Sequence, residues 1–226
     1  MYFYICILKG VLAQLVERLN GIQKVRSSIL LCSTSKEPRS KAAFFFVMAS
    51  RDRKLLNIEL SRVSKEAYKE LPESGIVMVL DNIRSAHNVG SAFRTADAFK
   101  ADKIFLCGIC ACPPSAEMHK TALGAEDSVP WEYFKDTLNA IQTLREEGYT
   151  IISVEQTVKS VSLDKFEAVK GEKYALVFGN EVDGVRQDVV DASDMSLEIP
   201  QFGSKHSLNV SVSIGVVLWH IKNQLI

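Results

Sequence analysis

The sequence lacks the apolar length that a membrane span needs. Its most hydrophobic stretches, Met1 to Leu8 and Ala42 to Met48, fall well short of about 18 residues. No basic leader region and no clean small-residue cleavage site mark a signal peptide. Cysteine is sparse, five in 226 residues, and an odd number without framework spacing suits a reducing cytoplasm better than a disulfide scaffold. The common catalytic signatures are missing as well. There is no G-x-G-x-x-G, H-E-x-x-H or G-x-S-x-G, and Gly179 to Gly184 (GNEVDG) continues with Val185-Arg186 where a phosphate loop needs Lys and Ser/Thr. These absences disfavour dehydrogenase, kinase, metalloprotease and serine hydrolase chemistry.

Net charge is also absent, with 27 basic against 27 acidic residues, but the balance hides a split. Residues 1–47 hold seven Lys/Arg and two Asp/Glu, so 20 of the 27 basic and 25 of the 27 acidic residues lie beyond them. The body is mildly acidic, which leaves room for a local nucleic-acid patch and not for a broadly basic platform. An apolar content of 47% is ample for a core. Cys107, Cys110 and Cys112 form CGICAC, yet no second cysteine pair or histidine cluster completes a metal set, so no metal is expected.

The segment before Met48 shows no clear helix or strand pattern. Ala13 to Arg18 (AQLVER) back-translates to GCU CAG UUG GUA GAG CGN, similar to the D-arm of many transfer RNAs, and Ser27 to Leu30 to AGU UCG AUC CUN, which contains the GUUCGA of a TψC loop. The expectation is that residues 1–47 read through an upstream tRNA gene and that Met48 is the physiological initiator. The other reading is a partly disordered extension. Residues 48–74 are expected to form a short helical segment, with a helix over Ala49 to Leu71, and 75–226 the main domain.

Along that domain, Gly75 to Asp81, Lys103 to Cys107, Tyr149 to Glu155, Tyr174 to Gly179 and Met195 to Ile199 read as strands. A helix carries Arg94 and another runs from Thr137 to Glu147, stopped by Gly148. Strands alternating with helices predict an α/β fold with a mostly parallel sheet covered on both faces. The segment Ile199 to Trp219 mixes periods of two and 3.6. Its length without proline from Ser207 to Asn223 predicts a helix with Ser207 near its first turn, and the mixed period a helix buried on several sides.

In such sheets ligands lie beyond the carboxyl ends of the strands. Three loops there are polar in a shared way. Asn82-Ile83-Arg84 through Asn88-Val89-Gly90 with Arg94-Thr95-Ala96-Asp97, then Gly179-Asn180-Glu181-Val182-Asp183-Gly184, then Ile199-Pro200 with Ser207-Leu208-Asn209-Val210-Ser211, resemble the three motifs of the SpoU (TrmH-like) RNA ribose methyltransferases. The resemblance implies a SPOUT fold whose C-terminal segment threads a loop into a trefoil knot, S-adenosylmethionine as methyl donor, an RNA ribose 2′-hydroxyl as acceptor, and a homodimer. By position, Gly179, Ile199 and Leu208 would contact the cofactor, largely by backbone, while Asn88, Arg94, Glu181, Ser207 and Asn209 would form the catalytic and RNA-positioning group.

Those residue types suit the reaction. The sulfonium methyl is already activated, so the protein must align the groups and help remove the hydroxyl proton. A guanidinium stays protonated, so Arg94 reads as a phosphate-positioning group that lowers the hydroxyl's pKa. Each residue also has a plainer role open to it: Arg94 pairing with Asp97 or Glu181, Asn88 capping its helix, Gly179 and Gly184 serving a turn. A catalytically silent RNA-binding homologue is the competing function. The short chain before Gly75 leans the expected substrate towards tRNA over rRNA.

Overall fold

A computed structural model describes residues 2–6, 13–17, 28–30, 53–60 and 63–226. The chain divides into two units, Met1–Ser61 and Arg62–Ile226. In the first, β1 (Tyr2–Cys6), β2 (Ala13–Glu17) and β3 (Ser28–Leu30) pair antiparallel, where the sequence pattern showed no strands.

The second unit is built on a seven-stranded sheet: β4 (Ile76–Asp81), β5 (Lys103–Cys107), β6 (Trp131–Phe134), β7 (Thr150–Val154), β8 (Val161–Ser162), β9 (Tyr174–Phe178) and β10 (Met195–Glu198). The order is β6-β5-β4-β9-β7-β10-β8 and every pairing is parallel, so the expected mostly parallel sheet is wholly so. Helices α1 (Lys65–Glu70), α2 (Ala86–Phe99), α3 (Ala116–Ala122), α4 (Thr137–Glu146), α5 (Gln187–Ala192) and α6 (Val210–Leu225) accompany it.

The unbroken apolar run of β4 reflects burial on both faces. Ile76, Met78 and Leu80 enter one cluster with Val89 and Phe93 of α2 and Ile214 and Leu218 of α6. Val77 and Val79 point the other way, into a cluster with Ile141 and Leu144 of α4 and Val189 of α5. At about 1.5–3 kcal/mol per buried large apolar side chain, this two-sided packing is the main force holding β4 central.

Three expectations need correction. Ala49 to Leu71 is not one helix: the described part holds a short 3-10 turn at Asn57–Glu59 and then α1, capped by Ser64. Helix α6 begins at Val210 with Asn209 as its cap, so Ser207 lies in the preceding loop and not in a helical turn. That helix is also not buried on several sides: Ile214, Val217, Leu218 and Ile221 are buried, whereas Val212, Val216 and Trp219, spaced i, i+4, i+7, are exposed.

The CGICAC cysteines are structural. Cys110 Sγ donates to Leu80 O and accepts from the Ile83 amide, pinning the turn after β4. Burial pushes the Cys107 thiol up to about 12 and that of Cys110 to about 11, so neither is a thiolate at neutral pH. Among the described residues no group of His, Cys, Asp and Glu is arranged to hold a metal, and no helix is long and apolar enough to cross a membrane.

Candidate active site

Strands β4 and β9 are neighbours although nearly a hundred residues separate them, and the chain leaves them towards opposite edges of the sheet. This switch point opens a crevice at the carboxyl ends of the strands, where ligands of such folds bind. A cleft of about 520 Å³ lies beside it on the β9-β7-β10 side, lined by the ends of those three strands, the 179–184 loop and residues 206–210. Its size falls within the range of small-molecule sites.

The 179–184 loop is folded by its own sequence. Asn180 and Gly184 exchange backbone hydrogen bonds at 2.9 and 3.0 Å, and Asn180 Oδ1 accepts from the Val182 amide at 2.8 Å. Gly184 adopts φ +69, and a Cβ on Gly179 would overlap the backbone of Gly184 and Val185. Both glycines therefore do serve the turn, and that turn forms one wall of the cleft.

Glu181 projects from this loop to the start of α2. Its carboxylate accepts from the amides of Arg84 and Ser85 at 3.1 and 3.2 Å and from Asn88 Nδ2 at 2.8 Å. Partial burial works against its charge, but the hydrogen bonds from Asn88, Arg84 and Ser85 outweigh it and hold the carboxyl below its ordinary range. A negative group also suits the unsatisfied N–H end of a helix. The cap of α2 is Ser85, whose Oγ accepts from the Asn88 amide. Asn88 is thus not the cap, and its side chain is left to bridge: Oδ1 accepts from Asn209 Nδ2 at 3.3 Å. Asn209 in turn caps α6 through Ser211 N at 2.9 Å.

Gly179, Glu181, Ile199, Ser207, Leu208 and Asn209 all line the cleft. Asn88 does not line it but is tied to two residues that do. Arg94 is different. It is exposed and makes no hydrogen bond or ion pair among the described residues, so pairing with Asp97 or Glu181 is not its role. Six residues beyond Asn88, it sits about 240° around the helix, on another face.

Sequence reading assigned no role to several groups that shape the site. Asp81, fully buried, accepts from Thr137 Oγ1 at 2.5 Å, Asn82 Nδ2 at 2.8 Å and the Arg186 amide at 3.1 Å, locking the exits of β4 and β9 together. Asn180 Nδ2 donates to Asn82 O at 2.7 Å. Glu155, at the end of β7, accepts from the Val185 amide at 2.9 Å and lines the cleft. The available signal was position alone, a polar residue at or within two positions of the end of β4, β7 and β9.

The sequence model of the SpoU rRNA Methylase family matches residues 75–219, more than half the chain. The chain belongs to the SpoU rRNA methylase family. A 23S rRNA (guanosine-2′-O-)-methyltransferase RlmB of Neisseria meningitidis is 30% identical over 194 residues, 86% of the SpoU chain and 73% of that protein. The tRNA (guanosine(18)-2′-O)-methyltransferase TARBP1 of Mus musculus is 31% identical, over 67% of this chain and 10% of its own length. An AdoMet-bound rRNA methyltransferase structure from Sinorhizobium meliloti superposes with a TM-score of 0.64 at 26% identity, covering 70% of the SpoU chain and 60% of the other. These likenesses agree with the family resemblance carried by the three loops.

Proposed function

We propose that this protein transfers the methyl group of S-adenosylmethionine to a ribose 2′-hydroxyl of tRNA or rRNA, acting in the cytoplasm as a homodimer. The observation that carries the reading is the meeting of Gly179, Glu181, Ile199, Ser207, Leu208 and Asn209 on one cleft, out of loops far apart in sequence.

The cleft fits the donor by its chemistry. Apolar walls from Val154, Phe178, Leu197 and Ile199 suit an adenine ring, and Glu155, Glu181, Asp183 and Glu198 make the lining acidic, which favours a sulfonium and an ammonium over an anion. Gly179, Ile199 and Leu208 would hold the cofactor, which supplies an already activated methyl. Ser207 and Asn209 orient the ribose at the cleft mouth. Asn88 and Glu181 fix the distance between the 179–184 loop and the starts of α2 and α6, so the alignment is set before substrate arrives. Arg94, exposed and without an ion pair among the described residues, engages RNA phosphate and stabilises the developing alkoxide.

Because Arg94 is not among the residues that line its own chain's cleft, the dimer is part of this reading. The exposed stripe Val212, Val216 and Trp219 on α6 is the face we assign to it. The trefoil threading of the C-terminal segment belongs to the same proposal.

The decisive experiment incubates the protein with labelled methyl donor and, separately, unmodified tRNA and 23S rRNA. Label recovered in 2′-O-methylribose is the expected result. Cofactor binding with no label in either RNA would overturn it in favour of the silent homologue.

A further inference from the structure

Phe202 is the most exposed aromatic side chain among the described residues, at 98%, and its chain neighbour Gln201 lines the cleft. Single exposed apolar residues are ordinary; this one is set apart by its attachments. It lies three residues after Ile199 and five before Ser207, so the chain cannot place it more than about 18 Å from the ribose-handling serine. The loop that carries it is held at both ends. β10 fixes Ile199, and Gln156 Nε2 donates to His206 O at 2.9 Å. Between these anchors the tip projects: a Cβ on Gly203 would meet nothing within 4 Å, and Lys205 is exposed beside it. A hollow of about 500 Å³ under the tip is lined by residues 200–205 with Ser207 and Leu208.

The acidic cleft repels a polyanion, so RNA must be gripped at the rim and not inside. A loop anchored at both ends that presents an exposed ring three residues from a cation suits an unstacked base and its phosphate. Resting on the proposed RNA substrate, we infer that Phe202 stacks on a nucleobase at or beside the methylated nucleotide while Lys205 meets an adjacent phosphate. Phe202 is then a positioning residue that sets how the ribose is delivered to Ser207 and Asn209.

The test compares wild type, Phe202→Ala and Phe202→Trp in the full chain. The probes are a fluorescein-labelled single-stranded RNA for binding, a 5-iodouridine-substituted version for photocrosslinking, and the RNA that the wild type methylates for kinetics. Loss of one stacked base corresponds to about a tenfold or greater rise in RNA Kd and KM for Phe202→Ala. The expected pattern adds a smaller change in kcat, unchanged cofactor affinity by calorimetry, recovery in Phe202→Trp, and a wild-type crosslink at residue 202. Wild-type RNA binding that Phe202→Ala leaves intact, or cofactor affinity that falls in step with KM, would overturn the stacking role; the latter result would make the loop a cover for the cofactor. A wild type that binds no RNA at all would bring down the RNA reading itself, so the two failures are told apart.

Discussion

Asn209 Nδ2 donates to Asn88 Oδ1 at 3.3 Å, joining the first turns of α6 and α2 across 121 residues of sequence. The same Asn209 side chain also caps its own helix through Oδ1, so one residue both starts α6 and fastens it to the site.

The two tasks can be separated. Asn209→Ala removes both, and loss of the cap alone costs about 0.5–2 kcal/mol. Asn209→Asp keeps the acceptor for Ser211 but cannot donate to Asn88. Thermal denaturation is expected to show a lowered Tm for the alanine variant only, whereas methyl transfer drops at least about tenfold in both. An aspartate variant with full activity would show that the bridge to Asn88 has no catalytic consequence.

Glu181 makes stability depend on pH. Its folded carboxyl titrates below the ordinary 4.5, so its contribution is present above that value and is lost as pH falls through the folded one. Being partly exposed, it contributes on the order of 1 kcal/mol after allowance for screening. Urea midpoints measured from neutral pH downwards are expected to fall less steeply below about pH 4.5 in Glu181→Gln than in wild type. Parallel curves would contradict this.

Gly179→Ala drives a methyl group into the backbone of Gly184 and Val185, which no rotamer can relieve. Overpacking of this kind costs about 1–3 kcal/mol. The loop wall of the cleft must move, so calorimetry is expected to find S-adenosylmethionine affinity reduced by more than tenfold, on the order of the same energy.

Arg94→Ala removes no hydrogen bond or ion pair among the described residues. Its Tm is expected to stay within the shift of about 0.5 kcal/mol usual for surface substitutions, and cofactor affinity to remain near wild type, while transfer to RNA is abolished. Weakened cofactor binding would remove Arg94 from its RNA-facing role.

Val216→Glu places a charge in the middle of the exposed apolar stripe on α6. Sedimentation is expected to show a monomer with an unchanged far-ultraviolet spectrum. A dimer that survives the substitution would move the interface elsewhere.

Much of this was readable beforehand, and the reasons differ by element. The central strands announced themselves because burial on both faces demands an unbroken apolar run, as in Ile76 to Leu80. β6 escaped because its side chains are largely exposed and leave no such signature. The start of α6 was placed too early because Ser207 and Asn209 are both good caps; only the hydrogen bond to Ser211 distinguishes them. Asn88 and Glu181 were named from motif position, but their mutual contact spans 93 residues and no local pattern encodes it. Asp81 was read as the last residue of a strand. Its three partners lie 1, 56 and 105 residues away, which only the fold brings together.

The pairing of β4 with β9 has a consequence for the timing of biosynthesis. Everything the ribosome makes before Tyr174 lacks the neighbour that completes the central sheet, and the cleft still lacks two walls until β10 and α6 have followed. A half-made chain can display Arg94 but lacks the walls of the cleft, so the cleft can form only after nearly the whole chain has been made.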